Sequence, residues 1–324
     1  MLRAVLHEQE IRRVIGLPGQ GDRVVEGLAP VDSASDLCLC FINQKVTDAV
    51  RESLAARRDC ILIAPRDSGR TGDWGGCLVL EIDNPRAGIA GVLKFIRAER
   101  RQPPLVSDCR IAPDATISQL AVIKGDVEIS EGAVIEPFCV VGPDVRIGRG
   151  TILQSGVRVF PRVAIGDESV IGANTVIGQE GYGFERDKIG NKMRIAHLGG
   201  VVIGSHVEVG ALVTIQSGTI MPTVIEDHVK IDDRVHVGHN VRIERSASVT
   251  AAAVIGGHAV IAAEAWLGIN SSVRDGRRVG SRALVGMDAS VQHDLSDNTV
   301  TRAPLPDVRT QPDDDGNAIG FAKR

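Results

Sequence analysis

From Ile111 to Ile177 every sixth residue is aliphatic, twelve positions in succession. The phase is lost after Ile177, returns at Ile203, Val209 and Ile215, slips by four residues in the segment Thr219-Ile220-Met221-Pro222, and then runs unbroken from Ile225 to Val291. That makes 27 positions in register in a chain that is 43% hydrophobic, far beyond chance. The residue after the aliphatic one is often glycine, the third and fourth are polar, and the fifth is small or β-branched, so the unit reads [ILV]-G-x-x-[VAST]-x. A period of six is neither the 3.6 of a helix nor the 2 of a simple strand. It fits a short strand followed by a sharp corner, with three hexads closing one triangular coil. Twenty-seven hexads then predict about nine coils, a prism on the order of 43 Å long at strand spacing of about 4.8 Å. The aliphatic residue points inward, the small fifth residue packs beside it, and the polar pair sits at the corner.

The two breaks divide the prism. Residues 178–202 read as a loop or hairpin extruded from a corner, and they hold the single tyrosine, Tyr182, together with Phe184. Loops carried on rigid scaffolds are frequent sites of function. The slip around Met221-Pro222 reads as a bulge. Residues 1–105 lack the hexad and read as an α/β cap. LHEQEIRRVIGL, DAVRESLAAR and AGIAGVLKFIRAER (87–100) carry helical spacing, and DLCLCFI and CILIAP are apolar runs expected as buried strands. RQPPL at 101–105 is the expected linker, its prolines stopping the preceding helix. The prism is assigned 106–300, and 301–324, rich in Pro, Asp and Gly, is expected to be a loose tail.

Composition narrows the classes. Aromatics are 3% of residues, so the core must be aliphatic. A formal net charge of −4 gives no basic footprint for nucleic acid. No apolar run approaches the roughly 20 residues of a membrane span, and the six cysteines form no C-x-x-C pair. A soluble cytoplasmic protein with free thiols is the expectation.

Eight histidines are present, and His206, His228, His239, His258 and His293 fall on third or fourth hexad positions, at corners. A solvated turn is the ordinary role for any of them. Metal binding through His236-x-x-His239 is a second reading, although one residue lies on a face and the other at a corner; no metal site is assigned. The run IDDRVHVGHN (231–240), the loop GQEGYGFERDKIGNKM and the strand VVIGSHVEVGA that follows it resemble the UDP-3-O-(3-hydroxyacyl)glucosamine N-acyltransferases of lipid A synthesis. Residues 26–43 are similar to that family's nucleotide-binding cap. The resemblance implies a mainly β fold, a left-handed parallel β-helix of hexapeptide repeats under an N-terminal α/β cap, assembled as a homotrimer. It implies His239 as general base, with Asp232 and Asn240 in the matching places of the motif, and substrate contacts from Phe41, Asn43, Tyr182 and Phe184. The donor would be an acyl-carrier-protein or CoA thioester and the acceptor the amine of a nucleotide-linked amino sugar; no resident cofactor is expected. Such a reaction needs a group that takes the amine proton near neutrality, and imidazole, with a reference pKa of about 6.5, does so.

Several recognition residues depart from the family pattern. A second aromatic expected after Phe41 and Asn43 is Val46, a family T-I-D-R-G reads Thr214-Ile215-Gln216-Ser217-Gly218, and an Asn-Gly-His corner reads Asp275-Gly276-Arg277. A mid-prism Tyr-His pair reads Phe160-Pro161, and the C-terminal helix that helps hold acyl carrier protein is missing from the pattern. These changes fall on recognition and leave the base in place. They predict a relative with an altered nucleotide, sugar or acyl donor. An O-acyltransferase or metal hydratase on the same prism, and a non-catalytic scaffold, are the competing readings.

Overall fold

The structure, a computed structural model, describes residues 1–43, 46–68, 73–99, 109–187 and 189–304. The expected linker at 101–105 and the greater part of the expected tail, 305–324, lie outside the described residues.

Each hexad forms a strand of two or three residues, and strands one coil apart pair in parallel at a step of 18 residues, as Val237 does with Ile255. Stacking gives three flat sheets of ten, nine and nine strands, the faces of a triangular prism. The aliphatic first positions and small fifth positions meet along the axis in one continuous core, from Val127 to Val291, with residues such as Ile243, Ala247, Ile255 and Ala259 fully enclosed. Two side chains per hexad fill a narrow interior, which is why the chain needs so few aromatics. The corners turn through the left-handed backbone region. Fourth-position residues from Asp144 to Asp288 have φ near +60°, including Asn240 at 58° and His258 at 61°. Each costs a non-glycine residue strain, which the parallel ladder on either side holds in place.

Residues 1–99 form an open five-stranded sheet: β1 (Leu2–His7), β2 (Val24–Leu28), β3 (Cys38–Phe41), β4 (Ile61–Pro65) and β5 (Leu78–Ile82), in that order, antiparallel between β1 and β2 and parallel thereafter. α1 (Glu8–Ile15) and α3 (Pro85–Glu99) pack on one face and α2 (Asp48–Ala55) on the other. The pleat sorts the side chains: Leu39, Ile61 and Ile63 face α1 and α3, whereas Cys38, Cys40 and Cys60 face α2 with Trp74. The helical spacing in LHEQEIRRVIGL was expected to start the chain, yet its first two residues end β1, and the sheet edge claims them. β1, β2 and β5 were not expected from the sequence; their Leu6, Val25 and Leu80 are buried in the cluster that also holds α1 and α3.

The 178–202 break is a β-hairpin, with strands Phe184–Arg186 and Lys192–Arg194 paired antiparallel. The segment that returns from it, through Ile195, Ala196 and Leu198, joins the apolar cluster of α1 and α3. Arg97 on α3 donates to Glu180 at 2.8 Å, and Arg86 meets Glu185 at 3.3 Å. The extruded loop therefore fastens the N-terminal sheet to one edge of the prism.

Candidate functional site

His239 is the third residue of its hexad, at the corner after strand His236–Val237. Its Nδ1 lies 3.2 Å from Oδ1 of Asn240. That oxygen already accepts from the backbone N–H and the hydroxyl of Thr219, both at 3.0 Å, while the Asn240 amide nitrogen donates to the Met221 carbonyl at 2.9 Å. An oxygen held this way can only accept, so Nδ1 carries the proton and Nε2 presents its lone pair. The slip at 219–222, expected as a mere bulge, is thus the clamp that fixes Asn240 and through it the imidazole.

Nε2 points along the prism edge toward Gly257, the corresponding residue one coil on. A Cβ built at Gly257 would lie 2.8 Å from Nε2, and its three nearest neighbours are all atoms of the His239 ring. On the other side the hairpin closes in: a Cβ at Gly181 would lie 2.9 Å from both His239 and His197. His197 and His258 flank the central ring edge-on, with centroids at 4.8 and 5.0 Å. His258 is the fourth-position residue after Gly257, and its backbone N–H donates to the His239 carbonyl at 2.9 Å. Gly257 itself has an N–H that meets no acceptor among the described residues.

The flanking imidazoles resist protonation. Burial pushes His197 down to about 4; the neighbouring His239 adds to this, while the Ile195 carbonyl beside Nδ1 at 3.0 Å opposes it. Burial also lowers His258, assisted by His239 and by Arg86. His197 is only 2% exposed, so its shift bears on stability. The unfolded chain binds a proton there near pH 6.5 and the folded one only near 4, so stability is full above about 6.5 and falls as the pH drops toward 4. On the order of 3 kcal/mol is at stake. Chemical denaturation at pH 7.5 and 4.5 is expected to show a smaller acid loss in H197N than in the parent chain. Equal losses would remove His197 from the account.

The other expected site residues are scattered around this edge. Tyr182 is 76% exposed, its ring edge-on to Phe184 at 5.0 Å, and the Arg194 guanidinium lies 4.6 Å from the Phe184 centroid. Phe41 packs against the cluster that also holds Ile195 and Leu198, and Asn43 stands exposed after β3. Asp232 is on the preceding corner of the prism, not beside His239 in the same chain. Its carboxylate accepts from the Asp233 and Ala251 amides, because residues seven apart in a hexad register fall on different edges. His236 lies within a strand, and among the described residues no three His, Cys, Asp or Glu side chains are placed to hold a metal ion.

A family described as the GMPPB C-terminal domain matches residues 117–224, within the prism. The chain is 34% identical over 235 residues to a UDP-3-O-acylglucosamine N-acyltransferase of Coxiella burnetii, covering 69% of this chain and 66% of that one. It is 41% identical over 226 residues to the protein of the same name from a Bradyrhizobium strain, covering 66% and 62%. The chain thus spans slightly under two thirds of the length of these relatives. The solved UDP-N-acetylglucosamine acyltransferase of Francisella novicida superposes with a TM-score of 0.54 at 29% identity, over 58% of this chain and 67% of that one. The prism is accordingly a left-handed parallel β-helix. Agreement over that span with relatives that share one name, and of the backbone with a solved acyltransferase, makes this chain a divergent hexapeptide-repeat relative of the UDP-3-O-acylglucosamine N-acyltransferases.

Proposed function

We propose that the chain transfers an acyl group from a thioester, on acyl carrier protein or CoA, to the amine of a nucleotide-linked amino sugar, as the names of its relatives suggest. The observation that carries this reading is the Nε2 lone pair of His239, oriented by Asn240 and facing the side-chain-free corner residue Gly257. The amine nitrogen attacks the thioester carbonyl as Nε2 takes its proton; the C–N bond forms and the C–S bond breaks. The imidazolium then returns that proton to the departing thiolate sulfur. The Gly257 N–H, without an acceptor among the described residues and at the corner beside His239, would supply a donor for the carbonyl oxygen as it becomes negative. No nucleophilic side chain is required, and holding both substrates at one corner supplies the orientation.

The reading includes a homotrimer. Trp266, Leu284 and Val300 stack in register on one flat face and stay exposed in the single chain, a stripe suited to a second copy of the prism. The groove between two copies would take the acyl chain. The setting proposed is the cytoplasm: all six cysteines are unbridged, and among the described residues no helix is long and apolar enough to cross a membrane.

Acyl-CoA and acyl carrier protein thioesters offered with a UDP-linked 2-amino sugar, and separately with its 2-hydroxyl analogue, decide the reaction. Transfer to the amine with none to the hydroxyl analogue is expected. Transfer to the hydroxyl alone would overturn the N-acyl reading in favour of O-acylation.

A further inference from the structure

A cavity of about 270 Å³ opens between the first turn of α3 and the hairpin, lined by Arg86, Phe184, Glu185, Arg186 and Lys192. Three cations face one carboxylate. Glu185 is engaged by Arg86 at 3.3 Å. Arg186 donates one nitrogen to the Gly190 carbonyl at 2.8 Å, which fixes the guanidinium, and its other side-chain donors meet no acceptor among the described residues. The Lys192 ammonium meets no acceptor among the described residues. The amino end of α3, fifteen residues long, adds its partial positive charge beside Arg86. The floor is the Phe184 ring, pinned by Arg194, which also donates to the Gly181 carbonyl at 3.0 Å.

The cavity adjoins the histidine edge. Gly181, against His197 and His239, stands three residues before Phe184, in the cavity wall. The volume is below the roughly 300–1,000 Å³ of pockets that enclose whole small ligands. It suits a compact anion better than a complete nucleotide sugar. None of these cations was singled out by the sequence pattern, because Arg86 comes from the sheet-bearing region and Arg186 and Lys192 from opposite strands of the hairpin.

We infer that this cavity is a phosphoryl-binding subsite, in which Arg86, Arg186 and Lys192 hold the diphosphate of the nucleotide sugar whose amine faces His239. The identity of the ligand rests on the acyl-transfer reading; the affinity for phosphoryl groups rests on the cavity alone. Guanidinium and ammonium groups bind phosphate oxygens through charge-assisted hydrogen bonds, and partial enclosure protects them from screening. The carboxylate of Glu185 competes with the ligand for Arg86.

Calorimetric titration of the full chain with UDP, uridine, inorganic pyrophosphate and 4′-phosphopantetheine tests this. UDP and pyrophosphate are expected to bind, with affinity falling as salt rises. In R186Q/K192Q both should weaken at least tenfold with an unchanged melting temperature, whereas K230Q, on another edge and paired with Glu208, should match the parent chain. E185Q should bind UDP several-fold more tightly, a gain that misfolding cannot produce. Equal UDP affinity in the parent and R186Q/K192Q, or weaker binding by E185Q, would overturn the subsite. Loss confined to 4′-phosphopantetheine would overturn the diphosphate assignment and give the cavity to the acyl donor. The two readings fail separately: UDP binding that depends on these cations without acyl transfer to any amino sugar sinks the enzymatic reading alone. Normal transfer with an unchanged KM for the nucleotide sugar in R186Q/K192Q sinks the subsite alone.

Discussion

Replacing His239 by alanine is expected to lower kcat by about 100- to 10,000-fold, the range that a positioned general base supplies. The fold should not notice. The imidazole is half-buried at a corner, and its one hydrogen bond among the described residues is to Asn240. The backbone carbonyl that accepts from His258 is kept by alanine, so the corner ladder survives. Asn240 would still be held by Thr219, Met221 and the Thr223 hydroxyl. The melting temperature and oligomeric state of H239A should therefore match those of the parent chain. KM for the nucleotide sugar should move little, because the histidine acts on the amine proton as the bond forms. Steady-state kinetics with thioester donor and amino-sugar acceptor give the answer. Turnover by H239A within a factor of a few of the parent would remove the histidine from the mechanism and return it to the role of a solvated turn.

His239 is also where the reach of the sequence can be judged. The prism was legible residue by residue because hexads are local: each inward aliphatic position is set by its own six-residue step, and Ile225 to Val291 obey it without exception. The same arithmetic contains part of the site. A step of 18 residues stacks Gly257 over His239 and His258 over Asn240, a relation that can be read from the numbers once the coil is known. His258 was nevertheless grouped with ordinary corner residues, since a step of 18 says which residues stack and not which way a ring turns. His197 could not be found that way. It arrives from the end of the hairpin, after the register is lost, and only the closure of that loop against α1 and α3 sets it beside His239. Asp232 is the converse case. It shares a sequence motif with His239, yet a separation of seven in a period of six moves it to another edge, where it ties down corner amides. Proximity along the chain was a poor guide there, and the coil geometry a good one.

Substituting Gly257 by alanine is expected to cut kcat by about 100-fold while leaving the fold intact, since misplacing a reacting group by about 1 Å costs that much. Gly257 is not at positive φ, so its backbone admits alanine without strain. The added methyl would fall 2.8 Å from Nε2, 3.0 Å from Cε1 and 3.1 Å from Cδ2 of His239, its three nearest neighbours. Relief comes most cheaply from the free end of that side chain, so the ring turns, its bond to Asn240 breaks, and the lone pair leaves the line of approach. Stability should hold or rise by up to about 1 kcal/mol, because alanine restricts the unfolded chain. Gly276, one coil further along the edge at the fourth position, provides the contrast. Its φ is +65° and nothing lies within 4 Å of its Cβ position, so G276A should cost about 1–2 kcal/mol through backbone strain and spare turnover. Thermal melts and kcat measured on both variants separate the two glycines. One makes room for a base and the other turns a corner. Full activity in G257A would mean that Nε2 does not need the space beside it, and the general-base geometry would have to be abandoned.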